Sequence, residues 1–277
     1  EEASLARGEE VKLAPLEPVT WTASKLAAKK DASTISLAAK KQLLDEYNEV
    51  ILRSPKIQDS VINYRDAKRK VIFANTDRAY IEQDKPDLVC KLAAIATQGN
   101  AIQQAGLSLG SKGDFSAIEA LHGKVKETAG LAAELLSAHQ VKGGEYMVIL
   151  DPILAGVFTH EAFGHLSEAD HVYQNDQLRN IMTLGRRFGG KHFNIVDDAT
   201  ISDLRGSYKY DDEGMPTSKT YLIHEGLLVG RLHSRETAAK MGESATGNAR
   251  ALNYLFPPIV RMTNTFIEPG TCKLEEM

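Results

Sequence analysis

The sequence contains little cysteine, no long apolar run and no excess of positive charge. Its 277 residues include only two cysteines, Cys90 and Cys272, so no disulfide framework is expected and a reducing cytoplasm is the simplest compartment. No apolar stretch approaches the ~18 residues that a membrane-spanning helix needs. The formal net charge of −4 gives no reason to expect a nucleic-acid-binding surface.

Several catalytic signatures are also missing. The chain has no Gly-x-Ser-x-Gly elbow of the serine hydrolases, and neither cysteine lies in a recognisable nucleophile context. The glycine-containing loop 244–250 lacks the Gly-Lys-Ser/Thr ending of a phosphate-binding loop. Internal repeats and low-complexity segments are absent from the sequence.

The overall composition is that of an ordinary globular protein, with 43% hydrophobic and 25% charged residues. The length suits one large domain or two smaller ones. The chain begins at Glu1 without an initiator methionine, and it stops soon after Pro269-Gly270 without a capping element. We therefore expect a fragment of a longer protein.

The first half of the sequence predicts helices and an antiparallel meander. Apolar residues at helical spacing predict an amphipathic helix over Ser36–Leu52. Between Ile57 and Leu109, several short β-prone runs are separated by polar turns, and Asp66–Lys70 is interpreted as an exposed charged turn. Residues 114–137 predict one long helix with Asp114 as its N-cap.

The second half begins with a continuous apolar run and continues as short elements. Tyr146–Leu150 predicts a buried strand, and Asp151-Pro152 can end that strand and start a helix. Further along, a hairpin is predicted to pivot on Glu225-Gly226, a short helix to begin after Ser234, and a strand to span Val260–Phe266.

The helix that follows Asp151-Pro152 carries the residues with the clearest chemistry. His160, Glu161 and His165 lie within six positions of one another and are flanked by apolar side chains. Two imidazoles are the usual nitrogen ligands of zinc. A neighbouring carboxylate is the group that takes a proton from metal-bound water in hydrolytic zinc sites.

The spacing of the two histidines is unusual. In the common zinc-peptidase pattern His-Glu-x-x-His, both histidines share one face of an α-helix. Here they are five positions apart and diverge by roughly 140° on a regular helix, which would instead align Glu161 with His165 and Glu168. If both bind one metal, a π-bulge near Phe163-Gly164 must widen the helix, and glycine eases that distortion. The alternative is two unconnected histidines on a partly buried helix.

Other polar residues are weaker candidates for a site. His171 could compete as a third ligand but is interpreted as a bystander, because no second sequence cue supports it. Asp197-Asp198 follows a strand and could bind a cation, although the two side chains alternate faces and a turn is the preferred interpretation. His122 and His139 are interpreted as surface or hydrogen-bonded histidines.

Six short blocks occur in order along the second half of the chain. They read His160-Glu-Ala-Phe-Gly-His165, Val196-Asp-Asp198, Tyr210-Asp-Asp-Glu-Gly-Met-Pro216, Thr246-Gly-Asn248, Arg261-Met-Thr-Asn-Thr265 and Pro269-Gly270. Together they resemble the TldD/PmbA family of zinc-dependent peptidases, also called modulators of DNA gyrase. The resemblance covers roughly Tyr146–Met277, whereas the N-terminal half agrees with the family only in its general pattern of helix- and strand-forming segments.

The resemblance implies a catalytic, TldD-like subunit, because the partner kind of subunit in this family (PmbA or TldE) lacks the HExxxH motif. It implies zinc held by His160 and His165, with Glu161 as the general base, acting on short or unfolded peptides. It also implies pairing, as a homodimer or as a heterodimer with a PmbA/TldE-like subunit. No nucleic-acid or membrane partner is expected.

The fold that the resemblance implies is of the α+β class. A mixed N-terminal α/β domain, with an antiparallel sheet and long helices, is expected over residues 1–190 and carries the HExxxH helix at about residues 153–170. The start of a β-rich C-terminal domain, incomplete here, is expected over residues 191–277.

The chain departs from the family pattern at the third zinc ligand. In the family this ligand is a cysteine in a glycine-rich segment far downstream of the strand that matches Val260–Phe266, outside these 277 residues. Cys272 stands where the family has no ligand. Because catalytic zinc normally has three protein ligands plus water, we expect this chain alone to be inactive. The alternative function is a non-catalytic partner subunit, or a modulator of another protein such as a topoisomerase.

Overall fold

The computed structural model describes residues 11–23, 28–273 and 275. Its α-helices are α1 Leu37–Leu52, α2 His122–Leu135, α3 Pro152–Thr159, α4 Ala169–Gln174, α5 Asp176–Ile181 and α6 Arg235–Met241. Its strands are β1 Val19–Thr22, β2 Ile57–Ala74, β3 Ala79–Gln98, β4 Ala101–Ser111, β5 Ile195–Asp198, β6 Lys219–His224, β7 Leu227–Leu228, β8 Ala249–Arg250, β9 Ile259–Val260 and β10 Thr265–Ile267. This content of helices and mixed sheets confirms the predicted α+β class.

The chain folds as two compact units. The N-terminal unit comprises Ala23–Val71 and Gln83–Tyr146, and the motif unit comprises Glu1–Thr22, Ile72–Glu82 and Met147–Met277. The domain boundary predicted between residues 190 and 191 falls inside the motif unit. Within the described residues, no helix is both long and apolar enough to cross a membrane.

The core of the N-terminal unit is formed by its two long helices and by β3 and β4. β3 and β4 are antiparallel neighbours, with Leu88 opposite Ser111. The predicted first helix is confirmed: Ser36 is the N-cap of α1, and its hydroxyl accepts a hydrogen bond from the Ala39 N–H at 3.2 Å. Tyr47 on α1 is fully buried, and its hydroxyl donates to the carbonyl of Ile118.

Three predictions for the N-terminal unit are wrong in detail. The predicted short strands are three long ones, and Asp66–Lys70 lies inside β2 rather than in a turn. One of its charges is paired within the N-terminal unit, since the Lys40 ammonium contacts the Asp66 carboxylate at 2.9 Å. The long helix predicted from Asp114 is interrupted: Asp114 caps only a 3₁₀ turn, and Ala120, with φ of 57°, breaks the chain before α2.

The motif unit contains a second sheet, in the order β10-β5-β6-β7 with antiparallel pairs, and a separate β8–β9 pair. The single strand predicted over Val260–Phe266 is therefore two short strands separated by a bend. The short helix predicted after Ser234 is confirmed as α6. Ser234 and Thr237 bond each other's backbone N–H groups in a capping box.

The predicted hairpin at Glu225-Gly226 is confirmed and joins β6 to β7. Both turn residues have positive φ, 48° for Glu225 and 78° for Gly226, as a two-residue hairpin turn requires. The backbone carbonyl of Gly226 also accepts from the Phe188 N–H at 2.8 Å. A Cβ at Gly226 would collide with the backbone oxygens of Gly189 and Gly190.

We expect Gly226→Ala to destabilise the protein by about 2 kcal/mol or more, because strain at positive φ and a clash with rigid backbone add together. Urea unfolding followed by circular dichroism measures this loss. Gly242→Ala is the matched control: Gly242 also has positive φ, 67°, but a Cβ there would meet open space. Equal losses in the two variants would show that the packing around the hairpin contributes nothing.

Candidate metal centre

The helix that carries the candidate ligands begins as the sequence predicts. Asp151 is the N-cap of α3, and its carboxylate accepts hydrogen bonds from the N–H groups of Ile153 and Leu154 at 2.8 and 2.9 Å. Pro152 occupies the first helical position, where its missing N–H costs no hydrogen bond. These local signals fix where α3 starts.

The predicted widening of this helix is confirmed. After Thr159 the chain forms a π turn over His160–Gly164, in which the His165 N–H donates to the carbonyl of His160, five residues earlier. Gly164 faces Met262 so closely that a Cβ would overlap the Met262 sulfur. The glycine therefore allows the wide turn to pack against the bend between β9 and β10.

The π turn brings the three predicted site residues together. The rings of His160 and His165 have centroids 4.7 Å apart and are almost perpendicular, at 81°. With Glu161, each offers one potential ligand atom, and these atoms lie within 4.8 Å of one another. His160 and Glu161 are exposed, and His165 is half-buried.

The donor set of these residues fits zinc. Imidazole nitrogens and a carboxylate oxygen are ligands that Zn²⁺ prefers, at bond lengths of about 2.1 Å. Two histidines alone leave the set short of the three protein ligands that are usual at catalytic zinc. The individual roles of His160, Glu161 and His165 stay predictions.

Sequence reasoning did not assign a role to the nearest buried acid, Glu168. The residue follows His165 by three positions, and its carboxylate is completely buried against the His165 ring. Its position among the small or apolar residues Leu166, Ser167 and Ala169 was the sequence feature that could have suggested a buried acid. His171, interpreted as a bystander, contacts the same carboxylate oxygen with Nε2 at 3.3 Å.

The prediction of a buried strand before α3 is wrong. Residues 146–150 are all described and form no strand, and their large apolar side chains are exposed; Met147 has no covered surface at all. Ile153, Leu154, Val157 and Phe158 on α3 are exposed as well. An apolar run becomes a strand only where another strand pairs with it, and none of the described strands does so here.

Three of the sequence blocks meet at Asp197 on β5. This buried carboxylate accepts four hydrogen bonds: from the Asn248 side-chain amide at 2.8 Å, from the Thr263 N–H and hydroxyl, each at 2.8 Å, and from the Thr265 hydroxyl at 2.7 Å. Its neighbour Asp198 is bonded by Thr200 instead. Asp197 and Asp198 lie in a strand rather than a turn, and the four donors at Asp197 give that residue a structural role.

The block around Asp211 forms a turn in which the Asp211 side chain is buried. The Asp211 carboxylate accepts from the N–H groups of Glu213, Met215 and Ala249 at 2.8 to 3.0 Å. Burial raises the pKa of Asp211 to about 7, while these three donors act in the opposite direction.

Both cysteines are free, and burial raises the pKa of the Cys90 thiol.

Comparison with known families finds two matching models. Residues 30–137 match the PmbA/TldA metallopeptidase central domain, and residues 143–277 match the PmbA/TldA metallopeptidase C-terminal domain. The two matches meet near the start of Met147–Met277, the longest segment of the motif unit.

Individual proteins with similar sequences or structures carry names that agree with these family matches. A metalloprotease from Synechocystis is 47% identical over 269 residues, which cover 97% of this chain and 58% of that protein. A zinc metalloprotease TldD homolog from Saccharolobus solfataricus is 41% identical over 137 residues, or 49% of this chain and 30% of the homolog. A crystal structure of a candidate DNA gyrase modulator from Thermotoga maritima has the same fold, with a TM-score of 0.80 at 21% identity over 99% of this chain and 62% of its own. The chain thus spans 58% of the length of the Synechocystis relative.

Proposed function

Because the chain belongs to the PmbA/TldD metallopeptidase family, we propose that it carries the catalytic centre of a zinc-dependent, TldD-like peptidase. The observation that carries this proposal is the π turn His160–Gly164, which places two imidazoles and a carboxylate within 4.8 Å. A non-catalytic partner subunit has no chemical need for Glu161 between two histidines. The motif therefore favours the enzyme over a binding subunit or a modulator of another protein.

His160 and His165 would hold the metal. When bound, zinc would act as a Lewis acid: it would lower the pKa of a bound water molecule toward about 7 and polarise the scissile carbonyl. The third ligand is proposed to be the cysteine that the family pattern has downstream, outside residues 1–277. Neither Cys90, which is buried in the N-terminal unit, nor Cys272 is proposed for this role.

Glu161 is proposed as the general base. It is exposed next to His160, and among the described residues no hydrogen bond or ion pair engages its carboxylate. A carboxylate in this position is free to take a proton from water and return it to the leaving amine. The expected reaction is hydrolysis of peptide bonds in short or unfolded peptides.

Pairing with a second subunit is also proposed on the family resemblance, as a homodimer or with a PmbA/TldE-like protein. The exposed apolar side chains of α3 suit a surface that another polypeptide covers, since large apolar patches mark contact sites. Light scattering during size-exclusion chromatography, alone and with the candidate partner, tests this: a protein that is monomeric in both runs would contradict the proposal.

Metal removal gives the direct test of the proposed function. We expect the purified full-length protein, with the proposed downstream cysteine included, to contain about one zinc per chain and to cleave an unstructured peptide, and a chelator to abolish cleavage until zinc is restored. His165→Ala removes one of the two proposed histidine ligands, and we expect this variant to lose both the zinc and the activity. His139→Ala, at an exposed histidine outside the motif, is the matched control. A wild-type protein without zinc would favour the non-catalytic alternative.

A further inference from the structure

Glu168 is held rigidly beside the metal motif. Its backbone forms a parallel bridge to Leu232, and the hydrogen bonds of that bridge join Ala169 N–H to the Leu232 carbonyl at 3.0 Å and Leu232 N–H to the Ser167 carbonyl at 2.9 Å. The Glu168 N–H donates to the carbonyl of His165. The side chain is 0% exposed, so its direction is set by packing rather than by solvent.

One carboxylate oxygen of Glu168 gathers three nitrogen atoms. Oε2 lies 3.2 Å from Nδ1 of His165, 3.3 Å from Nε2 of His171 and 2.9 Å from a guanidinium nitrogen of Arg261. The other oxygen, Oε1, is buried and has no hydrogen-bond partner among the described residues. The carboxylate therefore directs its interactions toward the motif histidine and its neighbours.

We propose that Glu168 is a positioning residue that fixes the tautomer and the ring orientation of His165 for metal binding. An ionised carboxylate can only accept a hydrogen bond, so Nδ1 of His165 must carry the proton, and the lone pair of Nε2 is left for a metal. Carboxylates that accept from the second ring nitrogen of a ligand histidine orient it and make it more basic. This inference rests on the proposed function, because it assigns His165 as a ligand.

Arg261 accounts for the burial of this charge. Its guanidinium forms an ion pair with Glu168 at 2.9 Å, and the same arginine donates to the carbonyl of Val260. The block Arg261–Thr265 is thereby linked to the motif through a physical contact. Potential ligand atoms of Glu168, Asp170 and His171 also lie within 4.8 Å of one another. A second cation there is disfavoured, because the positive charge of the Arg261 guanidinium is already bonded to Oε2 of Glu168 and would repel it.

Three substitutions at Glu168 separate positioning from charge balance. Glu168→Asp keeps the charge but withdraws the carboxylate from His165, whereas Glu168→Gln keeps the length and can still accept from Nδ1. If Glu168 positions His165, we expect zinc affinity to fall about 10- to 100-fold in Glu168→Asp and Glu168→Ala, and clearly less in Glu168→Gln. If it only neutralises Arg261, Glu168→Asp will resemble the wild type.

The measurement, made on the full-length protein, is zinc affinity by competition with a chromophoric chelator, combined with the visible spectrum of the Co²⁺-substituted protein, which reports coordination geometry. We expect a changed spectrum for Glu168→Asp and a spectrum close to wild type for Glu168→Gln. Thermal unfolding of the metal-free proteins identifies a variant that fails to fold; should Glu168→Ala do so, the Asp and Gln variants still decide.

Asp170→Asn is the matched control, because it removes a charge from the same segment, and its carboxylate bonds the Val260 N–H rather than His165. It is expected to leave zinc affinity unchanged. Glu168→Asp with wild-type affinity and spectrum would overturn the inference while leaving the proposed function intact. Two zinc ions per wild-type chain, with one lost in Glu168→Ala, would overturn it in favour of a second metal site. A wild type that binds no zinc would overturn the proposed function and this inference together.

Discussion

In the full-length protein, Glu161→Gln is expected to reduce peptide hydrolysis by about 10²- to 10⁴-fold while the zinc content stays unchanged. The amide has nearly the same shape as the carboxylate but is not basic enough to take a proton from water. His160 and His165 are untouched, so the proposed metal ligands are retained. The measurement is the turnover of a fluorogenic unstructured peptide, with zinc determined on the same samples.

Glu236→Gln provides the control for this experiment. It makes the same chemical change at a surface glutamate that pairs with Lys240 on α6, where an exposed ion pair contributes little. Its activity is expected to equal that of the wild type. If Glu161→Gln cleaves as fast as the wild type, Glu161 is not the base. If it loses zinc, Glu161 is a ligand.

Asp197→Ala is expected to cause the largest loss of stability. The substitution leaves four donors from Asn248, Thr263 and Thr265 without their acceptor inside the motif unit. A buried unsatisfied group costs about 1–3 kcal/mol, which applies in full to the buried Asn248 donor and less to the part-buried donors of Thr263 and Thr265. The loss is therefore expected to be about 3 kcal/mol, a large share of the roughly 5–15 kcal/mol that stabilises a typical protein. Equilibrium urea unfolding, or the soluble yield if the variant does not fold, measures it.

Asp198→Asn is the neighbouring control for this prediction. The Asp198 carboxylate accepts from the N–H and the hydroxyl of Thr200, two residues away, and an amide oxygen can still accept from both, so the substitution is expected to cost about 1 kcal/mol. Equal midpoints for Asp197→Ala and the wild type would show that the four hydrogen bonds do not hold the sequence blocks together.

The features that sequence predicted well are local ones. A five-residue histidine spacing cannot place both rings on one face of an α-helix, and the chain resolves this with the π turn His160–Gly164. The hairpin at Glu225-Gly226 and the capping box at Ser234 also depend on residues only a few positions apart. In each case the chemistry of the short segment suffices to specify its backbone.

The features that sequence missed depend on distant contacts. Tyr146–Leu150 has the composition of a strand, but composition does not supply the neighbouring strand that a ladder needs. The contact between Glu168 and Arg261 joins residues 93 positions apart, and no periodicity announces it. The α+β class was predictable from the family resemblance, whereas the polar surroundings of the site were not.

This separation along the chain has a consequence for synthesis. The residues that hold the motif segment, Val260 and Arg261, lie 90 and 93 positions after their partners Asp170 and Glu168. At about 5–20 residues per second, a ribosome needs on the order of 5–20 s to add that length. The segment that carries His160 and His165 is thus synthesised several seconds before the residues that pack against it. The nascent protein must therefore wait for the second half of the motif unit before its histidines can take their final positions.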